Sequence, residues 1–179
     1  MSISLYEASV QRYLQTLEAL GGVLERGRAY AQEHKIDLSQ SLQARLFRDM
    51  RPLRFQVQRV VVHSVGAIDA ITSGALRLPS EAPEHDYAGL QILVADACEA
   101  LARLTPAEVN AHAGGEVVFE VPGRPRRVFS TEGFVLSFSL PNFYFHATTA
   151  YGILRSQGVP LSKLDFMGAL TLKEAVEAS

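Results

Sequence analysis

The chain has 179 residues, 47% of them hydrophobic and 20% charged, which suits one self-sufficient domain over 1–179 and excludes a disordered polypeptide. A net charge of −2 with the signs mixed lacks the basic face of a nucleic-acid binder. The lone cysteine, Cys98, excludes an intramolecular disulfide and a cysteine-rich metal site.

The first residues, Met1 to Glu7, show no basic-then-apolar leader, and no apolar run reaches the ~20 residues of a membrane helix. The expectation is a cytoplasmic protein with neither nucleic acid nor membrane as partner. Steps of three and four among Tyr6, Val10, Tyr13, Leu14, Leu17, Leu20 and Leu24 predict a first helix from Leu5 to Gln32, weakened at Gly21-Gly22. A connection follows, with local helix around Ser41 to Phe47.

Pro52 suits the first turn of a second helix, Leu53 to Ser73, with Asp49 as a candidate cap. That helix is apolar over more than half its circumference, and Gly74 and Pro79-Ser80 end it. Tyr87, Leu90, Val94, Ala97, Leu101 and Leu104 give the third helix a seam for neighbouring helices, with Cys98 read as a core thiol. Thr105-Pro106-Ala107-Glu108 reads as a capping box opening one more turn.

From Glu116 the period changes to two. Alternation through Val121, a turn at Pro122-Gly123-Arg124-Pro125 and a return over Arg126 to Phe129 predict a β-hairpin, which must lean on the helices to be stable. Ser130 or Thr131 caps the fourth helix, which runs to Gln157, with a kink at Pro141. Leu164, Phe166 and Met167 are expected to pack across the helices. The fold class is all-α, an up-down four-helix bundle with a small hairpin between the third and fourth helices.

Two of the five histidines stand out. His63 follows Val60-Val61-Val62 on the most apolar helix, and His146 follows Phe143-Tyr144-Phe145 on the fourth. Asn142 and His146 are spaced i, i+4 and share a face that Thr149 continues. Gln56 lies two turns before His63 on a similar face. A buried imidazole or amide without a partner costs about 1–3 kcal/mol, so these groups should meet one another, a water or a metal. Gln56, Tyr144, Thr149 and Tyr151 are candidate pocket residues, although core packing is the default reading of the aromatic ones. No phosphate loop, nucleophile elbow or carboxylate pair is present in the sequence.

The stretch Leu140-Pro-Asn-Phe-Tyr-Phe-His146-Ala-Thr-Thr-Ala-Tyr151-Gly-Ile-Leu-Arg155, with Gly158-Val-Pro160-Leu and Asp165-Phe166 beyond it, resembles an uncharacterised bacterial family. So do Ser4-Leu5-Tyr6-Glu7-Ala8-Ser9-Val10, Asp49-Met50 and Gln56-Val57-Gln58. The resemblance covers nearly the whole chain and extends to the DinB/YfiT-like metalloenzyme superfamily of four-helix bundles, which often dimerise. It implies a homodimer and a divalent ion, zinc or nickel, held by three histidines: one from the second helix and an i, i+4 pair from the last. His63 and His146 would match two of these, the latter because Leu154-Arg155 follows at the group's spacing. The earlier histidine of the pair falls on Asn142, a weak ligand.

Two readings stay open from the sequence. One is a metal-assisted hydrolase or thiol-dependent transferase acting on a small molecule, with metal at His63, His146 and Asn142. The other is a non-catalytic bundle that binds a small apolar ligand or serves as a dimer scaffold, its polar trio a buried hydrogen-bond network.

Overall fold

The computed structural model describes residues 3–76, 83–120, 123 and 125–172. The chain is mostly helical with a small three-stranded sheet. Ser4 caps α1 (Leu5–Ala8) through a reciprocal box with Glu7. The predicted first helix is interrupted one turn in, where the Ser9 hydroxyl donates to the Leu5 carbonyl at 2.6 Å, and α2 runs over Val10–Glu33. Gly21-Gly22 does not break it.

The short α3 (Leu38–Gln43) leads to α4 (Leu53–Val62), whose N-cap is Pro52 and not Asp49. The predicted second helix is also two: α4 stops at His63, and α5 spans Val65–Ser73. The Ser64 hydroxyl donates to the Val60 carbonyl at 2.9 Å and the Val61 carbonyl at 3.2 Å, competing with the helical ladder there. Gly74 closes α5 in the left-handed region at φ 75°, where glycine pays no Cβ penalty. Pro79-Ser80 lies outside the described residues.

Helix α6 (Tyr87–Ala102) buries Tyr87, Leu90, Val94, Ala97 and Leu101, the expected seam. Asp86 caps it by accepting from the Gly89 amide at 2.7 Å. Cys98 is only half-buried. The Thr105–Glu108 box opens α7 (Pro106–Asn110) as predicted. Strands β2 (Glu116–Phe119) and β3 (Arg127–Ser130) pair antiparallel with Val117 opposite Phe129. Val121, Pro122 and Arg124 of the predicted hairpin lie outside the described residues. The hairpin is not alone: β1 (Ala75–Leu76) adds a parallel strand beside β2, and Val117 and Phe119 are buried against the helices.

Ser130 caps α8 (Thr131–Phe134), which continues into a π-helical turn, Val135–Ser139, and then α9 (Leu140–Ser156). The Leu140 amide reaches back five residues to the Val135 carbonyl. The π turn stands where the kink was predicted and lets Pro141, which has no N–H, begin α9 without breaking the rod. Helix α10 (Lys163–Met167) lies against α2; Gln15 donates to the Met167 carbonyl at 2.9 Å and Phe166 packs on Tyr151, but Leu164, expected to pack across the helices, is 69% exposed.

The long helices pack in pairs: α2 on α6 and α9, and α4 on α6 and α9. One close approach is built on a glycine. The Tyr87 hydroxyl donates to the Leu24 carbonyl at 2.8 Å, and a Cβ at Gly27 would overlap that hydroxyl. Gly27→Ala is therefore expected to cost about 1–3 kcal/mol in urea unfolding. Adding Tyr87→Phe should recover part of the loss, and no recovery would mean that the hydroxyl is not the obstruction. Among the described residues no helix is long and apolar enough to cross a membrane.

Candidate functional site

The break after α4 and the π turn before α9 meet at one point. In an unbroken helix the His63 carbonyl would accept from the Ala67 amide, but here that amide turns to Ser64 at 3.1 Å. The freed carbonyl is capped from the other segment, by the Ser139 hydroxyl at 2.7 Å. Ser139 accepts in turn from the Tyr13 hydroxyl at 2.7 Å, since its own proton is committed to His63. All three residues are buried, and burial holds the Tyr13 phenol well above its ordinary pKa.

This bridge sets His63 opposite His146. Their rings are 5.7 Å apart between centroids and within 12° of parallel. His63 is 5% exposed, and its Nδ1 is buried with no hydrogen-bond partner among the described residues. Phe138 of the π turn contacts it edge-on at 5.7 Å. His146 is half-buried, with Phe145 at 5.3 Å and Phe55 at 6.0 Å.

Gln56, 2% exposed, fixes the tautomer of His146. Its Nε2 donates to the Arg51 carbonyl at 2.8 Å, which leaves Oε1 facing His146 Nδ1 at 2.7 Å. An amide oxygen only accepts, so the His146 proton is on Nδ1 and Nε2 keeps its lone pair. Burial is the first cause that lowers the pKa of His63 to about 4, followed by His146 and Arg59. Burial and then Arg59 lower His146 to about 4. Both rings are thus neutral at pH 7.

The other predicted residues divide. Asn142 lies one turn before His146, half-buried, and its Nδ2 donates to the Phe138 carbonyl at 2.7 Å. Thr149 turns its hydroxyl to the Phe145 carbonyl at 2.7 Å. Tyr144, Thr149 and Tyr151 line a surface groove of about 650 Å³ with Leu46, Met50 and Phe145. Of the candidate pocket residues, only Gln56 bonds to the histidine pair. The sequence reading did not find Ser139, Tyr13, Phe55 or Arg59. An arginine on the most apolar helix, one turn before His63, was the available signal.

Of the three histidines that the resemblance implies for zinc or nickel, two are present and face each other, and Asn142 stands in the place of the third. Among the described residues no group of three His, Cys, Asp or Glu side chains converges, and the side-chain amide that bonds to the imidazole pair is that of Gln56. The cationic Arg59 lowers the pKa of both rings and disfavours a further cation beside them.

Residues 5–167 match the model of a domain of unknown function, DUF1993. The chain belongs to that family. A DUF1993 chain is in turn similar to a solved structure described as a DinB family member protein from Shewanella denitrificans, at 28% identity and a TM-score of 0.77 over 96% of each chain. A comparison with curated proteins gives no match. The DinB-like domain of unknown function inferred from the Leu140–Arg155 stretch is thereby shown, and the DUF1993 match spans every element from α1 to α10.

Proposed function

We propose that this DinB-like protein binds a small molecule at the His63–His146 pair, with the two neutral imidazoles as its hydrogen-bonding and proton-accepting groups and without a tightly held divalent metal. The observation that carries the reading is the bond from His146 to Gln56, which presents a bare Nε2 lone pair beside a second buried ring whose Nδ1 has no partner. A ligand that supplies an acidic N–H, O–H or S–H meets an acceptor there, and one that supplies an oxygen or nitrogen meets the remaining ring proton. Hydrolysis by an activated water and transfer from a thiol both begin with such a proton acceptance. We read the four long helical segments, α2, α4–α5, α6 and α8–α9, as an up-down bundle that holds this pair between α4 and α9.

Zinc and nickel content of protein purified without chelator, measured for the wild-type chain and for His63→Ala and His146→Ala, tests the reading. The expected result is far less than one ion per chain in all three, and no tight site on titration with cobalt. One ion per wild-type chain that disappears in both variants would overturn it and restore the metal-assisted alternative.

A further inference from the structure

Two arginines flank the phenylalanine ring that contacts His146. Arg59 is half-buried on the helix that carries Gln56 and His63, and its guanidinium carbon stands 4.9 Å from the centre of the Phe55 ring. Arg51 approaches the same ring at 5.4 Å. Phe55 is also the ring that contacts His146. Among the described residues neither guanidinium has an ion-pair partner: the five ion pairs use Arg26, Arg28, Arg54, Arg103 and Arg126. The neighbouring Arg54 reaches Glu84 at 3.8 Å, and among the described residues Asp49, two residues from Arg51, makes no ion pair.

Two like charges within 5.4 Å of the centre of one aromatic ring, one of them partly withdrawn from water, form an arrangement that folding alone does not favour. Both burial and the Arg51 charge work against the Arg59 cation. An oxyanion beside Phe55 would be attracted to both guanidiniums. The forked N–H groups of arginine suit carboxylate and phosphate oxygens.

We infer that Arg51 and Arg59, stacked on Phe55 beside His146, form the binding site for an oxyanion group, a carboxylate or a phosphate, on the small molecule that binds at the histidine pair. The inference rests on reading the His63–His146 pair as the ligand site. It adds the substrate class: an anionic small molecule, not the neutral apolar ligand of the scaffold reading.

The test is a titration of the full-length protein with inorganic phosphate and, separately, with acetate, against sodium chloride at matched ionic strength. Ring ¹H–¹⁵N signals of His63 and His146 are followed, assigned with the alanine variants. The expected result is a saturable shift of the His146 signals with at least one of the two anions and none with chloride. Which anion saturates first separates phosphate from carboxylate recognition. Arg59→Met, which keeps the stem on Phe55 and loses the charge, should weaken saturation about tenfold or more, and Arg51→Met provides the same test if Arg59→Met does not fold. Absence of saturation with both anions, or saturation unchanged in every folded variant, would overturn the inference. Metal content measured on the same samples judges the metal-free reading separately, because the arginine variants leave the imidazoles in place.

Discussion

Replacing Ser139 by alanine is expected to cost about 2–4 kcal/mol of stability. The hydroxyl serves two buried partners at once, capping the His63 carbonyl and receiving the Tyr13 hydroxyl, each at 2.7 Å. Its removal leaves a carbonyl and a phenol without partners in a region where Tyr13, His63 and Ser139 are all buried. Tyr13→Phe removes only the outer link, leaves Ser139 donating to His63, and should cost about 1 kcal/mol. Urea unfolding of the two variants decides the matter. Should Ser139→Ala prove no worse than Tyr13→Phe, the bridge does not hold the α4 break to the π turn.

The second large effect is a loss of stability on mild acidification. The folded chain holds His63 and His146 at about 4, against 6.5 for an unperturbed histidine. At pH 7 both the folded and the unfolded chain carry neutral imidazoles, and no stability is lost. As pH falls from 6.5 towards 4 the unfolded chain takes up protons that the folded chain resists, so stability declines across that window. His63 alone should account for about 2 kcal/mol between pH 7 and pH 5, with His146 adding in the same direction. The carboxylates whose pKa is lowered, such as Glu25 at about 2, lose their contribution only below their unfolded value of 4.5, so the interval from 6.5 to 4.5 isolates the histidines. His63→Gln should flatten the slope of the urea midpoint against pH there. An equally steep slope in that variant would assign the effect to other groups.

The architecture was legible where apolar side chains repeat. Tyr87, Leu90, Val94, Ala97 and Leu101 are buried as their spacing predicts, and Ser130, Thr105 and Gly74 stop or start helices as their chemistry predicts. The breaks were not legible, because they come from single serines. Ser9 and Ser64 each turn a hydroxyl onto a carbonyl three or four residues back, a competition that leaves no trace in the apolar period running through it. Strand β1 is two residues long, too short for any alternation to register. At the site, the polar residues His63, His146 and Gln56 betrayed themselves by lying on apolar faces. Arg59 escaped notice because an arginine stem also packs well against an aromatic neighbour, and its missing counter-charge is visible only in three dimensions.

The π turn has a consequence for what evolution or an engineer can do to the last helix. Such a turn is wider than an α-helical one, and shortening Val135–Ser139 by one residue to recover regular geometry would spin everything beyond it by roughly 100° about the rod. His146 would swing off Gln56 and away from His63, while the apolar face of α9 would turn with it towards solvent. The segment is a rotational setting for the whole site, so deletions between Gly133 and Pro141 should be far more damaging than most side-chain substitutions in the same stretch.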